Sequence, residues 1–228
     1  MVTLALICVA MLAIALLPRG LPAAGFLWDF FNGLGFCGLA ALISLAWDSE
    51  SPARNPRLRL HRNLAVVSSI LISGHVLGFL LWDPTVIEYL KLRAPLYMLA
   101  GIGGYLLMVL ATLSSFPAPR RVLYRSFARF RQWHLIVSIA AILTSVWHVL
   151  GAKFVISGFL HSMFFCLLVL SVPAYAYGRR RFAASLPRPV PPQSDDLADR
   201  LGMTSFAACL ALAAVYAGTK NLCSFDLC

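Results

Sequence analysis

The chain has 228 residues, 60% of them hydrophobic and 12% charged, with mean hydropathy +0.81 and a formal net charge of +10. A soluble domain of this size cannot hide so much apolar surface, which excludes an ordinary water-soluble fold and predicts an all-α integral membrane protein. In a soluble chain the charge would suggest nucleic acid; here its placement marks membrane topology, the expected partner is lipid, and no nucleic acid partner is expected.

Apolar runs close to the roughly 20 residues that cross a bilayer predict a bundle of about seven transmembrane helices. They fall at 2–17, 25–47, 63–82, 95–116, 133–151, 154–177 and 202–218. The first is short. "LPAAG" (21–25) follows it, as in a cleaved signal peptide, but no basic residue precedes the apolar run, so an uncleaved first helix is preferred. No lipobox precedes Cys8. In the fourth run, "GIGGY" (101–105) has no preceding strand, so its glycines read as close-packing positions and not as a nucleotide fingerprint. After the sixth run, "RPVPPQSDD" (188–196) reads as part of a flexible linker, 178–201, before the last helix.

Arginine and lysine set the orientation. With the N-terminus inside, the segments 48–62, 117–132 and 178–201 face the cytoplasm and carry fourteen basic residues, all arginine. The other side carries five: Arg19, Lys91, Arg93, Lys153 and Lys220. That asymmetry predicts seven spans with a cytoplasmic N-terminus and an outer C-terminus.

Four of the five histidines bracket two apolar segments, "HRNLAVVSSILISGH" (61–75) and "HLIVSIAAILTSVWH" (134–148). Residues fourteen apart on an α-helix fall about 40° short of four full turns and are separated by about 21 Å of rise. Each pair therefore shares a face, with one member near each edge of the hydrocarbon. The third and fifth spans have one span between them and run parallel. His61 and His134 then lie at the inner edge, and His75 and His148 toward the outer edge. Four imidazoles so far apart along the axis cannot share one metal ion. Two facing nitrogens, however, suit the axial positions of a haem iron, with the macrocycle packed between helices. Filling both axial sites favours electron transfer over oxygen binding at the iron. For His61, "RLRLHR" (57–62) leaves open a solvated position at the headgroups.

With these residues in view, "HRNLAVVSSILISGH" followed by "RFRQWHLIVSIAAILTSVWH" resembles the ferric reductase-like transmembrane domain over roughly residues 25–177. That superfamily includes ferric reductases, NADPH oxidases and the haem-binding subunit of the periplasmic methionine sulfoxide reductase system. The resemblance implies a six-helix haem-binding core and two b-type haems, held by His61 with His134 and by His75 with His148. It also implies electrons passing outward through the bacterial inner membrane. Ferric reductases and NADPH oxidases continue into a cytosolic flavin and NADPH domain, whereas this chain continues into a seventh span. It most resembles stand-alone bacterial members, which take electrons from a separate donor: a flavoprotein, a flavin (FMN or FAD) docked on the inner loops, or quinol. The acceptor expected is a ferric chelate, oxygen or a periplasmic protein. The competing expectations are a quinol-linked cytochrome b, a haem-carrying accessory subunit of a larger respiratory complex, and a non-haem transporter with pH-sensing histidines.

Some members use a different histidine set. His161, in "GFLHSMFF" (158–165), therefore has three readings: a ligand, a polar group near the outer acceptor, or a packing residue. Arg62, Arg129 and Arg131 flank the inner pair and are candidates for haem propionates or for attracting an acidic flavoprotein, against plain positive-inside charge. Gly74, Gly78, Gly101, Gly103 and Gly104 read equally as room for a porphyrin and as small-residue helix packing. Trp133 and Trp147 read as interface anchors. Cys8, Cys37, Cys166 and Cys209 lie within spans and read as inert packing residues. Cys223 and Cys228, in "CSFDLC", are expected outside the membrane in the 202–228 unit, where a structural disulfide is chemically permitted.

Overall fold

A computed structural model of the chain describes residues 2–16, 24–47, 56–124, 126–154, 156, 158–183 and 195–225. Among the described residues there are helices and no strands. Seven helices carry the apolar runs: α1 (Val2–Leu16), α2 (Phe26–Trp47), α3 (Pro56–Trp82), α4 (Leu96–Ser115), α6 (Phe127–Ala152), α7 (Phe159–Ala183) and α8 (Asp195–Phe225). A 3₁₀ segment, Pro84–Leu90, follows α3, and a short α5, Pro117–Leu123, links α4 to α6. Five of the seven are long and apolar enough to cross a membrane; Leu4–Leu16 and Phe159–Val172 are shorter apolar stretches. The protein is a multi-pass membrane helical bundle.

Several helices begin before their apolar runs, for a tertiary reason. Arg59, near the start of α3, donates to both carboxylate oxygens of Asp199 on α8, at 3.0 and 2.7 Å. Asn63 donates to the Ala198 carbonyl at 3.2 Å and to Asp199 at 2.9 Å. These bonds hold the polar ends of α3 and α8 together in helical form. His61 consequently lies within a helix, half-buried, and not in a loop. α6 begins at 127 and not 133 because Ser126 caps it, its side chain accepting from the Arg129 amide at 3.3 Å. α7 and α8 likewise extend into the segment expected as a linker, 178–201, of which 184–194 lies outside the described residues.

α2 is the central helix. It packs most extensively on α3 and α8, and also on α1 and α7. Its Leu34, Cys37, Ala40, Ala41 and Ile43 are buried in the core. At the far end from the Arg59–Asp199 pair, Asp29 of α2 is fully buried. It accepts from Lys220 at 2.7 Å and from Asn221 at 3.0 Å, both on α8. α4 packs chiefly on α6, and those two helices expose Leu106, Leu110, Ile136, Leu143 and Trp147, as a lipid-facing surface does. Trp133 is similarly exposed.

Candidate functional site: two facing histidine pairs

The backbones of α3 and α6 are not among the closely packed helix pairs. What meets across the space between them is imidazole. The rings of His61 and His134 have centroids 6.3 Å apart, and those of His75 and His148 6.5 Å apart. This pairing requires α3 and α6 to run in the same direction. It also places the two stations about 21 Å apart along the helix axis. A metal ion bonded at about 2 Å to one nitrogen of each ring sets the centroids roughly 6 Å apart. Both pairs match that spacing.

The local sequence explains how each His75–His148 ring is held. His75 Nδ1 lies 2.9 Å from the Phe31 carbonyl of α2, and His148 Nδ1 lies 3.0 Å from the Tyr97 carbonyl of α4. A carbonyl oxygen only accepts, so each Nδ1 carries the proton and each Nε2 keeps its lone pair, the tautomer a metal ligand needs. Both carbonyls lie inside helices, where each also serves the amide four residues on. Those residues are Gly35 and Gly101. A Cβ on Gly35 would stand 2.8 Å from His75 Nδ1, and one on Gly101 would stand 2.7 Å from His148 Nδ1. Glycine is required at both because the imidazole occupies the volume of the missing methyl.

The same device continues one turn along. Gly78 leaves room for the Phe31 ring and Gly151 for Tyr97; a Cβ would come within 2.4 and 2.3 Å respectively. Gly38 accommodates Ile72, and Gly104 accommodates Thr144 and Ser145. The hairpin α2–α3 and the pair α4–α6 thus make one set of contacts twice. The repeat is legible in the sequence as "FNGLGFCG" (31–38) against "YMLAGIGG" (97–104), and as "HVLG" at both 75–78 and 148–151. Sequence reasoning singled out Gly78, Gly101 and Gly104 but missed Gly35, Gly38 and Gly151, which this repeat would have found. Of the remaining glycines, Gly74 packs on Leu34, and a Cβ on Gly103 would meet nothing within 4 Å.

The His61–His134 pair is built differently. Both Nδ1 atoms are buried; that of His61 has no hydrogen-bond partner among the described residues, and that of His134 has only a loose approach to the Ala111 carbonyl of α4. The Phe130 ring lies tilted against His134, with centroids 5.2 Å apart, and the Arg120 guanidinium lies 5.6 Å above Phe130. Arg120, Arg121, Tyr124, Ser126 and Phe127 line a cavity of about 150 Å³ at this end. Arg62, Arg129 and Arg131 are exposed beside the pair. Ser69–Thr112 (3.0 Å) and Ser73–Tyr105 (3.1 Å) hydrogen bonds tie α3 to α4 between the two stations.

His161 lies in the first turn of α7, beside Gly158 and half-buried; α7 packs chiefly on α1 and α2. α7 is thus a different helix from the two, α3 and α6, that carry the facing pairs. The expected Cys223–Cys228 disulfide lies outside the described residues and side chains.

The fold and the paired imidazoles define a membrane bundle that can hold two metal-centred groups, one above the other, between parallel helices. The chain belongs to the ferric reductase like transmembrane component family, whose model matches residues 4–145, more than half of its length. The match includes α1 and three of the four paired histidines, and ends three residues before His148. No curated protein and no solved structure matches the chain. Membership assigns the general role of transmembrane electron transfer, and domains of this family typically bind haem.

Proposed function

We propose that His61 with His134, and His75 with His148, each supply the two axial ligands of a haem b. In this reading the chain carries electrons from a cytoplasmic donor to an acceptor on the outer face of the bacterial inner membrane. The observation that carries the reading is the repeated ring spacing of 6.3 and 6.5 Å on two parallel helices. Haem held there would supply reversible one-electron chemistry, the two histidines of each station serving as its protein ligands. The protein's own part is positioning. The Phe31 and Tyr97 carbonyls fix ring orientation and tautomer, and the serine, threonine and tyrosine bonds between α3 and α4 keep the seam in register. The arginine-rich end, with its 150 Å³ cavity, is the docking face for a separate flavoprotein or flavin. In this reading Arg62 and Arg131 pair with propionates or with an acidic donor. The outer acceptor is a ferric chelate, oxygen or a periplasmic protein.

The test is haem quantification with a reduced-minus-oxidised spectrum on the wild type and on each His→Ala variant. Two haems per chain are expected in the wild type and one after loss of any of the four paired histidines, with His161→Ala retaining two. A colourless wild-type protein, or a stoichiometry indifferent to these substitutions, would overturn the reading.

A further inference from the structure

Three cysteines that the sequence scatters over two hundred positions converge in the fold. Cys8 of α1, Cys37 of α2 and Cys209 of α8 are all buried, and their Sγ atoms lie within 4.8 Å of one another, with Cys8 and Cys209 at 4.0 Å. All three are free thiols. They sit where α1, α2 and α8 pack against each other, near the middle of each helix and on a different side of α2 from the histidine seam. Beside them is a cavity of about 20 Å³, lined by Cys8 and Cys209 with Leu4, Ser205 and Leu212.

The chemistry of that cavity narrows its occupant. The volume is enough for one water-sized particle, but a water needs two to four polar partners. The Ser205 hydroxyl already donates to the Leu201 carbonyl at 2.6 Å, and the other walls are apolar or sulfur. A thiophilic ion seated between the three sulfurs finds three ligands, two of which, Cys8 and Cys209, also border this cavity. Three sulfurs bonded at about 2.3 Å to one ion in a plane stand roughly 4 Å apart, which the Cys8–Cys209 distance already matches. Coordination number separates the candidate ions. Protein zinc sites of this kind close with four ligands, and among the described residues no histidine, aspartate, glutamate or fourth cysteine joins the three. Soft thiolate sulfur favours copper(I) and zinc among first-row ions, and a three-ligand site leaves copper(I).

We propose that Cys8, Cys37 and Cys209 form a three-coordinate copper(I) site that staples α1 to the α2–α8 pair inside the membrane. Binding is a ligand exchange without redox change: Cu⁺ leaves its carrier ligand, one thiol releases its proton to the buffer and bonds as the thiolate, the other two sulfurs complete the coordination as neutral thiol donors, and the site stays electrically neutral. Neutrality matters because an uncompensated charge at this depth is costly. The site is independent of the haem reading.

The test uses the full-length protein as purified, anaerobically in detergent and freed of adventitious metal. Copper(I) is presented as its bicinchoninate complex, followed by desalting and copper analysis. The wild type and Cys166→Ser should retain one copper per chain, and Cys209→Ser at least tenfold less, with its helical circular dichroism unchanged as a check on folding. Copper-edge X-ray absorption on the wild type, which needs no variant, should give three sulfur neighbours at about 2.3 Å. Retention no better than Cys209→Ser, a first shell of nitrogen or oxygen, preferential uptake of zinc(II), or a Cys8–Cys209 disulfide in the anaerobic protein would each overturn the proposal.

Discussion

Gly101→Ala is the sharpest test of how the site is built. The new methyl would stand 2.7 Å from His148 Nδ1 and 2.8 Å from its Cγ, against an ordinary contact of 3.4 Å or more. The imidazole must retreat by about 0.7 Å, which takes its 3.0 Å bond to the Tyr97 carbonyl out to the range where it no longer counts as a hydrogen bond. Losing that bond costs about 1 kcal/mol, and forcing a methyl into a filled space adds about 1–3 kcal/mol. The combined loss of roughly 2–4 kcal/mol corresponds to roughly 30- to 700-fold weaker retention of the group held there. The assay is haem content and a redox titration of the purified protein. One haem should be lost or shifted in potential, while the one at His61–His134 is untouched, since sites more than about 10 Å apart respond independently. Gly35→Ala should reproduce the effect through His75. Gly103→Ala, two residues away on the same helix, meets open space and should leave both haems intact. If Gly101→Ala and Gly103→Ala behaved alike, the histidine would not be seated against this helix as described.

Lys220→Met should lower stability by about 3–5 kcal/mol, because it strands the fully buried Asp29 carboxylate. Thermal unfolding in detergent measures this, and the double change with Asp29→Leu should recover much of the loss; an unchanged melting temperature for Lys220→Met would contradict the burial of the pair. Arg120→Gln should lower the midpoint potential of the His61–His134 haem by on the order of tens of millivolts, since it removes a cation that favours the reduced state through a low-dielectric path. A potentiometric titration reads this, with haem content unchanged; a rise in potential would have the wrong sign. Arg59→Met should destabilise the protein less than Lys220→Met, because the Arg59–Asp199 pair is partly solvated, and the same melting assay ranks the two.

The membrane class, the helical runs and the pairing of histidines were all present in the sequence, because each rests on local rules. Apolar length identifies a span, and the helical period puts residues 61 and 75, or 134 and 148, on one face whatever surrounds them. That His61 belongs to the helix, and not to a loop, was decided by Asp199, more than a hundred residues away. The carbonyls that orient His75 and His148 could not be foreseen from composition, since every residue has one. Only the packing of α2 on α3 and of α4 on α6 selects Phe31 and Tyr97, although the repeated "HVLG" carried an unread trace of it. Cys8, Cys37 and Cys209 each looked inert within its own span, and Asp29 and Lys220 lie 191 positions apart. Contacts between distant segments have no sequence period to betray them. They exist because burying apolar faces brings particular helices together, and the polar and sulfur atoms carried along must then find each other.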